Sequence, residues 1–118
     1  GPLAEAHAAI GRSEAVRDAR AIHARTELFA LYQELLHAGI ELAALEDDIL
    51  PGSERAVRAA RRGFEAGLYS YLELAEAERA RADALRDHVA VAASYQQHVV
   101  DIERAIGGPV AGAQEDGR

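Results

Sequence analysis

The chain has 118 residues, 49% of them hydrophobic but only 5% aromatic, with no Trp, Met or Cys. Its formal charge is −7, from 20 acidic residues against 13 basic ones, all of them Arg, and this balance argues against nucleic-acid binding, which needs a basic face. The lack of Cys excludes disulfides, thiolate metal sites and thiol catalysis, and no run approaches the 18 consecutive apolar residues of a membrane-spanning helix.

The length suits one small domain. Alanine dominates, and alanine both favours helix and lets helices approach along narrow seams. The start, Gly1-Pro2-Leu3, reads as a protease-cleavage scar. The expectation is therefore an excised fragment with a flexible lead-in over residues 1–12.

A first helix is predicted over 13–50, with Ser13 as N-cap and Glu14 in the first turn. Only Gly39 interrupts it, at a cost of about 1 kcal/mol relative to Ala. Its apolar residues fall in rows seven apart. One row is Ile22, Phe29, Leu36, Ala43 and Leu50; a second is Leu28, Leu35, Leu42 and Ile49; a third is Leu31, Ala38 and Leu45. Adjacent rows make a stripe broader than a single dimeric seam, so the helix calls for two neighbours.

Pro51-Gly52-Ser53 breaks the pattern, either as a kink or as a full reversal. Ser53 is a candidate N-cap for a helix over 53–66. Gly67 is suited to a left-handed C-cap, and Gly67-Leu68-Tyr69-Ser70 to a tight turn. Ser70 with Glu73 three residues on forms a capping box for a last helix over 70–106. That helix carries Leu74, Ala77, Leu85, Val89, Ala92, Val99, Ile102 and Ile106, and Gly107-Gly108-Pro109 is its predicted stop. Residues 108–118 read as a disordered tail. The fold class is all-α: a long antiparallel, coiled-coil-like helical hairpin over 13–107 with a break at Pro51-Gly52, or alternatively a three-helix bundle.

Candidate chemistry is thin. Glu34 and His37 form one Glu-x-x-His motif, where a di-iron bundle needs two such motifs and two further Glu. No two of the five histidines stand four residues apart. The acidic run Glu46-Asp47-Asp48 has no pocket in a narrow hairpin to shift its pKa values, and reads as a solvated face. Ser13, Ser53 and Ser70 read as caps. No catalytic, cofactor or metal site is predicted, and no enzyme. Tyr69 and Tyr71 flank the turn, either as contact anchors or as covers for the hairpin's own seam.

The segment from Phe64 to Arg79, Phe-Glu-Ala-Gly-Leu-Tyr-Ser-Tyr-Leu-Glu-Leu-Ala-Glu-Ala-Glu-Arg, resembles the closing motif of TolC-type outer-membrane efflux proteins. In that motif an aromatic, a Gly and a Ser/Thr are spaced by two residues, followed by Leu-Asp-x-Leu-x-Ala-x-Arg. Ile49-Leu50-Pro51 resembles the family's upstream Leu-Leu-Pro, and Tyr95 with Ile102 to Gly107 its downstream end. The closest likeness is to the heavy-metal, CzcC/CusC-like branch. Phe64 replaces the usual Tyr, Glu73 an Asp and Ala75 a Leu, and Gly52 follows the proline.

The resemblance implies the last helical pair of a longer protein, in the periplasmic α-barrel of a trimeric channel. The channel would export metal ions or small toxic compounds within a tripartite system. On that map Phe64, Gly67, Leu68, Tyr69, Ser70 and Tyr71 form the tip that meets the hairpins of a periplasmic adaptor. Leu72, Leu74 and Ala77 brace it. The implied partners are other protomers and the adaptor, with no nucleic acid and no membrane insertion by this segment. The rivals are a free-standing helical-bundle interaction module and, behind it, a metal-binding bundle around Glu34 and His37.

Overall fold

The computed structural model describes the backbone of residues 1–115 and the side chains of residues 1–107. It is all-α among the described residues: α1 (Pro2–Ala44), a five-residue π-helical turn (Leu45–Ile49), α2 (Leu50–Glu65) and α3 (Tyr71–Glu115). α1, the π turn and α2 follow one another without a gap and make a single 64-residue rod. At 1.5 Å per residue such a rod is about 96 Å long, which matches the 95 Å long axis of the molecule. α3 returns antiparallel beside it. The result is a helical hairpin, and the three-helix alternative is excluded because the chain does not reverse at Pro51.

Proline stays in the rod because of the π turn. A proline inside an α-helix removes one hydrogen bond, and its ring crowds the carbonyl four residues back. Here the N–H of Leu50, just before the proline, bonds the Leu45 carbonyl five residues back. This widened turn places Pro51 in the first turn of α2, where its missing N–H costs little. Ser53 is then not a cap, since its Oγ donates to the Leu50 carbonyl at 2.8 Å.

The same turn corrects a mismatch in the seam. Toward α3 the rod presents Leu28, Leu31, Leu35, Ala38, Leu42 and Leu45, then Ser53, Val57 and Ala60, all buried or half-buried. The steps are three and four residues, except from Leu45 to Ser53, which is eight where the repeat needs seven. On α3 the facing residues Leu74, Ala77, Ala84, His88, Val91, Tyr95, His98 and Ile102 keep the repeat throughout. One extra residue in the rod is thus absorbed by a π-bulge, which widens a turn by one residue.

Other boundaries also differ from the sequence expectation. α1 begins at Pro2 with proline in its first turn, not at Ser13. Residues 3–12 include four alanines, the best helix former, and no further proline, and proline at the first helical position is preorganised. α3 begins at Tyr71 and its backbone continues past Gly107-Gly108-Pro109 to Glu115. The glycines there permit a left-handed stop without requiring one, and the one glycine with positive φ among the described residues is Gly67, at 74°. The expected tail therefore falls mostly on helix, and residues 116–118 lie outside the described residues.

The core is thin. Among the described residues its buried hydrophobic members are Ala38, Leu45, Ala60, Leu74, Ala84 and Ile102, half of them alanine. Of the rows seven apart, Leu28/Leu35/Leu42 and Leu31/Ala38/Leu45 face α3, while Ile22, Phe29 and Leu36 stay exposed. On α3, Leu85, Val89 and Ile106 are exposed too, so only part of the predicted apolar set is at the seam. The rod is long and apolar enough, with a stretch of mean hydropathy 1.2, to qualify by length and composition as a membrane span, which the consecutive-residue criterion had not suggested. A stripe wide enough for two helical neighbours accounts for the same apolar content.

Candidate functional site

The tip of the hairpin is built by two reciprocal capping systems. At the end of α2 the N–H of Leu68 donates to the Gly63 carbonyl at 2.8 Å, and that of Gly67 to the Phe64 carbonyl at 3.0 Å. These two bonds, around a left-handed Gly67, form a Schellman motif. At the start of α3 the Glu73 N–H donates to Ser70 Oγ at 3.2 Å, and the Ser70 N–H donates to Glu73 Oε2 at 2.6 Å. That is the predicted capping box. Several of the backbone groups that two helix ends would leave unpaired are thus satisfied within eleven residues, Gly63 to Glu73, and the turn is short.

Two aromatic contacts finish it. Tyr69 folds its ring back over Gly63, and its N–H reaches the Gly63 carbonyl at 3.1 Å. Phe64 and Tyr71 meet edge-to-face, ring centroids 6.0 Å apart, across the turn. Each tyrosine therefore has an intramolecular partner while keeping an open surface.

The rest of the tip is apolar and uncovered. Leu68 is 78% exposed, Tyr71 69% and Leu72 65%. Of the three residues expected to brace the turn, Leu74 is buried, Ala77 is half-buried, and Leu72 instead points out with the tip. Three large apolar side chains clustered at the end of a narrow rod form a surface patch of the kind associated with contact sites. Sequence reading passed over Gly63. Its signal was a second glycine four residues before Gly67 and six before an aromatic.

Along the side of the hairpin runs an apolar groove of about 550 Å³, lined by Tyr32, Leu35, Leu36, Gly39, Ile40 and Tyr95 among others. Gly39 and Tyr95 meet here across the two helices: a β-carbon on Gly39 would reach the Tyr95 ring at 3.4 Å, an ordinary contact distance.

The polar candidates do not converge. Glu34 reaches across to α3, with Oε2 3.7 Å from Nδ1 of His98, and does not engage His37. His88 Nε2 meets Glu46 Oε1 at 2.9 Å, tying α3 to the π turn. Each is a single cross-helix pair. No group of three or more His, Cys, Asp or Glu able to hold a metal ion occurs among the described residues.

The described residues thus form a two-helix hairpin with a capped turn, an apolar exposed tip and an apolar exposed flank. Residues 3–108 match the outer membrane efflux protein family, and the chain belongs to that family. Its members are transport components and not enzymes. Over 63 residues the chain is 36% identical to the cobalt-zinc-cadmium resistance protein CzcC of Cupriavidus metallidurans. The matched region is 53% of this chain and 15% of that protein, so the chain spans a small part of the relative's length. No solved structure matches the chain.

Proposed function

We propose that this hairpin is a segment of the periplasmic α-barrel of an outer-membrane efflux channel that exports metal ions, with the Gly67 turn as the end that faces the adaptor. The reading rests on one observation above the others: the capped turn from Gly63 to Glu73 holds Leu68, Tyr71 and Leu72 exposed at the end of a rod about 95 Å long. Family membership supplies the channel, and likeness to a cobalt-zinc-cadmium resistance protein supplies the cargo class.

The flank fits the same role. Ile22, Phe29, Leu36 and Ile40 remain exposed on the side of α1 away from the seam, and the groove beside Tyr95 is open. A barrel wall built of neighbouring hairpins would cover both. The segment then acts by shape: it walls a passage, packs on adjoining protomers and offers its tip to a partner, with no catalytic step and no cofactor.

The test is a metal-resistance assay in cells whose parent channel carries the tip variants L68D and L72D. Loss of zinc, cobalt or cadmium tolerance with normal trimer formation in the membrane is the expected result. Full tolerance in both variants would rule out the tip as a working surface. A free-standing bundle would instead give a monodisperse monomer with no membrane-embedded parent.

A further inference from the structure

We propose that Arg55, Arg58 and Arg62 on α2 form the charged flank of the adaptor-docking surface, recognising a partner helix that carries carboxylates at three- and four-residue spacing. This rests on the tip reading above and names the chemistry of the partner. At 100° per residue the three arginines fall within an arc of about 60°. That arc is opposite Val57 and Ala60, the residues α2 turns toward α3, and all three arginines are exposed.

The row is unusual within this chain. α2 carries four arginines against two glutamates, a charge of +2 in a chain of −7. Its neighbour Arg61 is already engaged, with Nη2 3.1 Å from Glu78 Oε1, and Arg86 is held by Asp83. Among the described residues Arg55, Arg58 and Arg62 form no ion pair. Upstream of it the rod is acidic instead, with Glu27, Glu34, Glu41, Glu46, Asp47, Asp48 and Glu54 following one another with no arginine between them.

Position gives the row its meaning. It runs along the last turns of α2 and ends two residues before Phe64, where the exposed apolar tip begins. An apolar centre bordered by unpaired arginines is the composition of a protein interface, in which Arg is enriched. The row is about 10 Å long, the reach of two turns of a facing helix. Carboxylates there would steer encounter and set register, while Leu68, Tyr71 and Leu72 supply the apolar contact.

The experiment measures binding of the purified adaptor of the same export system to the parent channel, at about 0.05 M and about 0.3 M salt, where screening differs strongly. Wild type is expected to bind more weakly as salt rises. The variant R55E/R58E/R62E should bind roughly tenfold or more weakly at low salt and lose its salt dependence. R55K/R58K/R62K, which keeps the charges, should stay within about threefold of wild type. If the reversed variant does not assemble, R55Q/R58Q/R62Q removes the charges at unchanged helix propensity and is judged by the same criteria. Unchanged affinity and salt dependence in the charge-removed channel would overturn the arginine assignment and leave the tip reading intact. Failure of wild type to bind at either salt would overturn the tip reading and the arginine assignment with it.

Discussion

The ring of Tyr69 lies against the backbone of Gly63, so close that a β-carbon on residue 63 would sit 2.6 and 2.8 Å from two of its carbons. Real β-carbons do not come that near, and the ring is anchored at its own residue by the N–H bond to the Gly63 carbonyl. Gly63→Ala must therefore displace the ring and disturb the Schellman bonds made by the same carbonyl. We expect destabilisation of about 1–3 kcal/mol, the range for overpacking a tight contact, read as a lower midpoint in urea unfolding followed by circular dichroism. Tyr69→Ala opens the space, so in the double variant most of the Gly63→Ala penalty should vanish. A coupling near zero in that cycle would show that the two residues do not meet.

Gly67 is a separate requirement. Its φ of 74° lies where an L side chain costs about 1–2 kcal/mol, and nothing stands near its missing β-carbon. The penalty of Gly67→Ala is thus purely conformational. Gly67→Asn should cost less than Gly67→Ala, because Asn tolerates the left-handed region. Equal melting temperatures for the two variants would contradict a strained position.

The capping box gives a third outcome. Ser70→Ala removes the acceptor for the Glu73 N–H and should cost about 1 kcal/mol. Glu73→Gln keeps a group able to accept from the Ser70 N–H and should cost less than Glu73→Ala. Amide exchange at the first turn of α3, measured residue by residue, should rise in the Ser70 and Glu73→Ala variants and hardly at all in Glu73→Gln.

Much of this tip could be read from residue type alone. Gly67, Ser70 and Glu73 each have a local preference that their neighbours do not contradict, and the structure uses all three as the sequence suggested. The double width of the α1 stripe was legible for the same reason: Ile22, Phe29 and Leu36 repeat every seven residues whether or not a neighbour is present to cover them. What escaped were relationships between distant residues. Gly39 gave no sign of its contact with Tyr95 on the other helix. Glu34 has its sequence neighbour His37 one turn away, yet it turns to His98 on α3. Likewise Pro51-Gly52 has every local mark of a break. Only the unbroken three-four repeat on α3 shows that the rod must continue past it with one residue to spare.

That spare residue leads to the last prediction. If the π turn exists to absorb it, deleting one residue from Leu45–Ile49, such as Asp48, restores a seven-residue step from Leu45 to the residue now at Ser53 and leaves the seam in register. The same deletion removes the wide turn that shelters Pro51, whose ring then faces the carbonyl four residues back, at a cost of about 3 kcal/mol. The deletion alone should therefore destabilise the hairpin, while the deletion combined with Pro51→Ala should regain wild-type stability. Pro51→Ala by itself should be close to neutral, because in the first turn of α2 the proline gives up little. Thermal unfolding of the three variants decides the matter. A deletion that stays destabilising after Pro51→Ala would mean that the π turn has a role beyond register, and the first place to look would be the pair between Glu46 and His88 that ties it to α3.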